Sequence, residues 1–291
     1  MIIRFVCIVL VFFGGTHCFS QTKRAIVIGL GMQADESWGK INGDKDVPFV
    51  VNMLEKSGYS KKNIVKLVNQ QATKSGIMDA FISLIKSCRS KDIVYIHFSG
   101  HGQRVTDIDG DEKDGWDESW IPYDAYRKYG DNDKGEKHLI DDEIYNLLVE
   151  IKAKIGTNGK ILVVADACHS GDSSFGLKVF SNYITPPVYD RNVTIRGVSA
   201  PFIIPYKSVS RKTKDAVQWL MISACKSFEF NQELSKPHVG ILSYALYSIS
   251  KSGRLEMYKI EDFIRRNKGP YPQTPILTGE TEKYNISDVL K

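Results

Sequence analysis

The chain has 291 residues, 42% of them hydrophobic and 25% charged, with a formal net charge of +5 at neutral pH. This composition supplies a core of ordinary size and excludes a fibrous or disordered chain. No run of five or more like charges and no aromatic-interleaved basic stripe occurs, which argues against nucleic acid as a partner.

Arg4, the unbroken apolar run Phe5–Phe13 and the small residue Ser20 before Gln21 read as a signal peptide over residues 1–20. The run is too short to span a bilayer. The expectation is an exported protein, periplasmic or extracellular and not membrane-spanning, with a lipid anchor on Cys18 as the alternative. Cleavage there leaves Cys88, Cys168 and Cys225, an odd number, so at least one is unpaired or pairs between chains. An odd thiol in an exported protein is a candidate for chemistry.

Apolar runs then alternate with helical patterns. Strands are expected at Ala25–Leu30, Ile64–Val68, Ile93–Phe98, Ile161–Ala165 and Val217–Ser223, with a final extended piece at Pro272–Leu277. Helices are expected at Val47–Leu54, Ile77–Ile85, Ile140–Ile151 and Gly240–Ser248. Strands that are continuously apolar rather than alternating predict a mainly parallel sheet with helices on both faces. Residues 171–214, broken by Pro186, Pro187, Pro201 and Pro205, interrupt the rhythm as an exposed loop within one domain.

Two of these strands end alike. Ile93–Phe98 runs into Ser99-Gly100-His101-Gly102, and Ile161–Ala165 into Asp166-Ala167-Cys168-His169-Ser170-Gly171. Ligands bind outside the carboxyl ends of strands in open α/β sheets. A histidine on one rim and a cysteine on another supply a base and a nucleophile, and the imidazole can later protonate a leaving amine. The backbone N–H groups of Gly102 and Cys168 are candidates for an oxyanion hole. Because residues two apart share a side of a strand, Ser99 falls with His101 and Asp166 with Cys168. A carboxylate and a hydroxyl beside that pair suit a basic side chain, hence cleavage after Arg or Lys. His97, in mid-strand, reads as a core or supporting histidine; His138 has no partner legible in sequence.

The His-Phe-Ser-Gly-His-Gly and Asp-Ala-Cys-His-Ser-Gly segments, with the acidic stretch 107–124, Ile140-Asp141-Asp142-Glu143-Ile144, Ser223-Ala224-Cys225-Lys226 and Gln273-Thr274-Pro275, resemble the metacaspase branch of the caspase-like peptidases. The resemblance spans about residues 23–278. It implies a caspase-hemoglobinase fold, with a large-subunit-like part over about 23–172, a loop over 173–214 and a small-subunit-like part over 215–291. It also implies cysteine endopeptidase activity on protein or peptide substrates, with Cys168 and His101 as the dyad. Asp166 and Ser99 then line the pocket for the residue before the scissile bond, the P1 residue. A third pocket acid is expected from Asn42-Gly43-Asp44-Lys45-Asp46: Asp46, with Asp44 the alternative.

The resemblance further implies Ca²⁺ as an activator, with Asp117, Asp141 and Asp142 as its ligands; no cofactor is expected for the chemistry itself. Self-cleavage is expected in the loop, at one of Lys178, Arg191, Arg196, Lys207, Arg211, Lys212 or Lys214. A monomer is expected. Two other classes compete: an inactive homologue acting as a binding or scaffold module, and a metal-binding module built on Cys168, His169 and nearby aspartates. Adjacent ligands at one strand end suit a tetrahedral metal poorly. Gingipain-like and clostripain-like peptidases are the alternative within the enzyme class.

Overall fold

The computed structural model describes residues 21–110, 112, 114–168, 194–196, 200–205, 217–226 and 229–291. The expected signal peptide, His169 and the basic loop residues other than Arg196 lie outside these. In chain order the elements are β1 Lys23–Gly29, α1 Gly43–Lys56, β2 Ile64–Val68, α2 Lys74–Ser87, β3 Ile93–Ser99, β4 Gly102–Thr106, β5 Trp116–Trp120, β6 Leu139–Ile140, α3 Asp141–Ile155, β7 Lys160–Asp166 and β8 Leu220–Ser223. There follow β9 Glu233–Ser235, β10 His238–Gly240, α4 Ile241–Ser250, α5 Met257–Asn267, β11 Ile276–Gly279 and α6 Ile286–Val289.

The main sheet has the order β11-β8-β7-β3-β1-β2. Its β1, β2, β3, β7 and β8 pair in parallel, and β11 closes one edge antiparallel to β8. This is the expected mainly parallel sheet. The period of two along each strand divides the core into two layers. Ala25, Val27, Tyr95, Leu162 and Val164 pack with α1, α4 and α5 on one face. Ile26, Ile28, Val94, Ile96, Ile161 and Val163 pack with α2 and α3 on the other. Covering both faces is what makes these strands apolar throughout.

The chain reverses direction across the sheet at β1, since β2 lies to one side of it and β3 to the other. The crevice at such a switch point is where α/β sheets place their ligands. Both candidate motifs open onto this rim.

Three features differ from the sequence expectation. The acidic stretch 107–124 holds a strand for which no expectation was drawn, because Trp116–Trp120 pairs antiparallel with Gly102–Thr106 and then with β6. Helix α5 buries only Ile260 and Ile264, too thin an apolar stripe to stand out among its charged residues. The expected loop is not free along its whole length either. Phe202 is buried and exchanges backbone hydrogen bonds with Arg104 and Thr106 along β4, and Ile195 bridges Gln232.

Candidate active site

Strands β3 and β7 are in register, with Ser99 opposite Asp166. Each chain runs two residues further, to His101 on one strand and Cys168 on the other. The Gly100 N–H donates to the Asp166 carbonyl at 3.3 Å, keeping the two exits side by side. Gly102 then passes so near Cys168 that a Cβ there would overlap the Cys168 carbonyl oxygen. Only glycine permits this approach.

His101 is 2% exposed and stacks on Trp38 with ring centroids 5.0 Å apart. Its Nε2 lies 2.7 Å from the Gly39 carbonyl, which can only accept, so Nε2 carries the proton. The Nδ1 lone pair is therefore free, and Nδ1 is buried without a hydrogen-bond partner among the described residues. Burial lowers the imidazole pKa to about 4 against the opposing bond to Gly39, so the ring is neutral at neutral pH. In this tautomer Nδ1 is the nitrogen able to accept a proton.

Cys168 is buried, and its Sγ accepts the Asn231 N–H at 3.2 Å. Cys225 lies against it; contact with the Cys168 thiol and burial push the Cys225 thiol well up, so Cys225 stays protonated. The Cys168 N–H donates to the carbonyl of Arg196 at 2.8 Å.

Arg196 corrects the reading of the loop. Expected in an exposed loop, it is instead fully buried, with its side chain among Ser99, Asp166 and Asp46 in the predicted basic-residue pocket. Its Nη1 donates to Ser99 Oγ at 2.5 Å and to the Asp166 carbonyl at 3.2 Å, and lies 3.4 Å from Asp166 Oδ1. Nη2 pairs with Asp46 Oδ2 at 2.9 Å, and Nε donates to Glu233 Oε1 at 2.9 Å. Ser99 Oγ in turn donates to Asp46 Oδ2 at 2.5 Å. The backbone is held as firmly: the Arg196 N–H donates to the Asn231 carbonyl at 3.0 Å and the Glu233 N–H to the Thr194 carbonyl at 3.1 Å. Thr194–Arg196 thus lies as a short antiparallel strand against residues 231–233, the usual posture of a peptide added to a strand edge.

The acids of the pocket differ in state. Burial raises Asp46 to about 6, with Arg196 pulling down and Asp166 pushing up. Asp166 is equally buried, but Arg196 and bonds from Ser243 and Asn231 outweigh burial and hold it below the usual carboxylate range. Asn231 Nδ2 donates to its Oδ1 at 2.7 Å, and the Ser243 hydroxyl to its Oδ2 at 2.5 Å. Ser243 Oγ also lies 3.0 Å from His97 Nε2, and His97 Nδ1 lies 2.9 Å from the Tyr95 hydroxyl, so His97 supports the pocket from below. Of the two acids left open by the sequence, Asp46 enters the pocket; Asp44 is half-buried outside it, against Gly31.

A profile of the metacaspase, peptidase C14 domain matches residues 23–174. This chain belongs to the metacaspase family. Metacaspase-1B of Aspergillus fumigatus is 35% identical over 158 residues, covering 51% of this chain and 35% of its own length. Metacaspase-1A of Aspergillus oryzae is 32% identical over 160 residues, again 35% of its length. The match therefore spans about a third of these relatives. Among solved structures, a Geobacter sulfurreducens protein superposes with a TM-score of 0.61 at 23% identity, over 93% of this chain and 97% of its own. Caspase-1 of Spodoptera frugiperda does so at 0.55 and 11% identity, over 89% of each chain. The fold is caspase-like.

In this metacaspase the carboxylates expected to hold calcium lie on β5 and at the start of α3, which follows β6, the strand paired with β5. Asp117 on β5 and Asp141 at the start of α3 are both 1% exposed, and Asp142 is half-buried. No group of three His, Cys, Asp or Glu residues among the described residues is placed to hold a metal ion. No step of the chemistry is assigned to the ion. His138, without a partner in sequence, is buried between Gln103 and Asp133.

Sequence reasoning does not reach Glu233, Asn231, Gly240 and Ser243, nor the Trp38–Gly39 turn that orients His101. These come from other elements and carry no local motif. Gly240 is the most telling of them, because a Cβ there would overlap both the Asp166 carboxylate and the Arg196 guanidinium.

Proposed function

We propose that the chain is a cysteine-type endopeptidase that cuts after arginine or lysine, with Cys168 as nucleophile and His101 as general base. The observation that carries this reading is Arg196, whose guanidinium fills the acidic pocket while its carbonyl accepts from the Cys168 N–H. A P1 residue of a substrate needs both contacts. The carbonyl would be polarised by the Cys168 N–H, with the Gly102 N–H as second donor to the oxyanion. Cys168 Sγ gives its proton to His101 Nδ1 and attacks the carbonyl carbon; the tetrahedral intermediate collapses as His101 returns the proton to the leaving amine. Water then attacks the thioester, with His101 again taking a proton, and releases the new carboxylate.

The same contacts favour the chain's own Arg196–Gly197 bond as the first one cut, and make Thr194–Arg196 a tethered competitor until it leaves. Intact-mass and peptide analysis of purified protein, with and without calcium, tests this. Wild type is expected to yield a fragment ending at Arg196, and Cys168→Ala to remain whole. Equal cleavage of arginyl peptides by wild type and Cys168→Ala would sink the mechanism. A wild-type preference for Asp at P1 would sink the pocket and leave the dyad.

A further inference from the structure

Glu233 is a pocket acid that the strand-end motifs do not supply. It sits at the start of β9, and its side chain is 2% exposed. Its Oε1 accepts Arg196 Nε at 2.9 Å, while Asn42 holds the same carboxylate through its N–H to Oε1 at 2.7 Å and its Nδ2 to Oε2 at 2.5 Å. Asp46, Asp166 and Ser99 meet the guanidinium at its terminal nitrogens; among the described residues Glu233 alone meets it at Nε.

That difference separates the two basic side chains. At the same number of bonds from the backbone where arginine has Nε–H, lysine has the Cε methylene, and the lysine ammonium falls where arginine has Cζ. A P1 lysine can still use Asp46, Asp166 and Ser99, but it turns a carbon toward the fixed Oε1 of Glu233. A site built to hydrogen-bond a donor discriminates against a ligand that lacks it, because a buried acceptor is left facing a methylene. Lysine also has no planar fork to match the placed acceptors.

We propose that Glu233, braced by Asn42, is the residue that makes this pocket prefer arginine over lysine at P1. This rests on the peptidase reading for its consequence in turnover, though not for its consequence in binding.

Two measurements test it. The first is kcat/KM on matched peptides with Arg or Lys at P1, for wild type and Glu233→Gln. Wild type is expected to favour arginine by about tenfold or more. Glu233→Gln is expected to lose about 10- to 100-fold on the arginyl peptide and little on the lysyl one, the size of one charge-assisted hydrogen bond. A parallel fall on both peptides would mean that Glu233 only supports the fold, and would overturn the proposal, as would an unchanged ratio. The second is fluorescence anisotropy of the same peptides on Cys168→Ala/Arg196→Ala protein, with and without Glu233→Gln. Arginine-selective binding that needs Glu233, with no turnover by wild type, would sink the peptidase reading and uphold the role of Glu233. Equal binding of both peptides would overturn that role whatever the turnover.

Discussion

The space that Arg196 occupies is shaped by what is missing as much as by what is present. Gly240 faces Asp166 and the guanidinium with no side chain, and its N–H donates to Asp46 Oδ1 at 2.8 Å. Gly240→Ala should therefore push a methyl group into the seat of the P1 side chain while leaving His101 and Cys168 in place. The expected outcome is at least a tenfold loss in kcat/KM on an arginyl peptide, about 1.4 kcal/mol or more. Circular dichroism should be unchanged and the loss should fall mainly on KM. A loss confined to kcat would show that the methyl disturbs the dyad instead. At this scale the placement of His101, Cys168, Asp166 and Ser99 on one rim is legible in sequence because each lies on the strand end that bears its motif, and strand periodicity fixes its neighbour. Glu233 and Asn231 are not, because nothing in their local sequence distinguishes them from an ordinary turn. Arg196 is misread for the opposite reason: basic residues in a proline-broken stretch are usually solvated, and its burial depends on partners as far away as Asp46.

Among the elements, the parallel strands and their covering helices follow from apolar runs and helical spacing. The antiparallel strands β4, β5, β9 and β10 do not, because they are short and carry the polar residues that serve the rim. The end of β7 shows how tertiary structure completes an element. Pairing with β8 begins at Leu162, so Ile161 has no strand neighbour on that side. The Tyr284 hydroxyl takes the neighbour's place: it accepts the Ile161 N–H at 3.2 Å and donates to the Ile161 carbonyl at 2.8 Å. Both backbone groups are buried and need partners. Tyr284→Phe should cost about 1–3 kcal/mol of stability, read as a lower urea midpoint, with kcat/KM little changed at a temperature where the variant is folded. A midpoint equal to wild type would mean that water replaces the hydroxyl there.

For the molecule as a whole, the buried titratable groups set a response to acid. His97 and His101 are held neutral by burial, each with a pKa of about 4, whereas an exposed imidazole titrates near 6.5. As the pH falls the unfolded chain takes up these protons first. Each histidine thus contributes stability that is complete above about pH 6.5 and is lost as the pH drops toward 4, on the order of 3 kcal/mol apiece. Asp46 works the other way: its folded pKa of about 6 exceeds the unfolded value of 3.8, so protonation in that window favours the fold. Two groups oppose one, and the net expectation is a lower urea midpoint at pH 5 than at pH 7. His97→Gln should flatten that difference. A midpoint that rises on acidification would show that the histidines are not buried neutral.

The pocket draws Asp46 from α1, Ser99 from β3, Asp166 from β7, Glu233 from β9 and Gly240 from β10, so its walls lie up to 194 positions apart in sequence, from Asp46 to Gly240. A chain still being synthesised has no such pocket until Gly240 has emerged and α4 has docked with Ser243 on Asp166. The strand ends that carry His101 and Cys168 are made much earlier, but they have nothing to hold a basic side chain beside them. The seat for that side chain therefore takes shape only with the last third of translation.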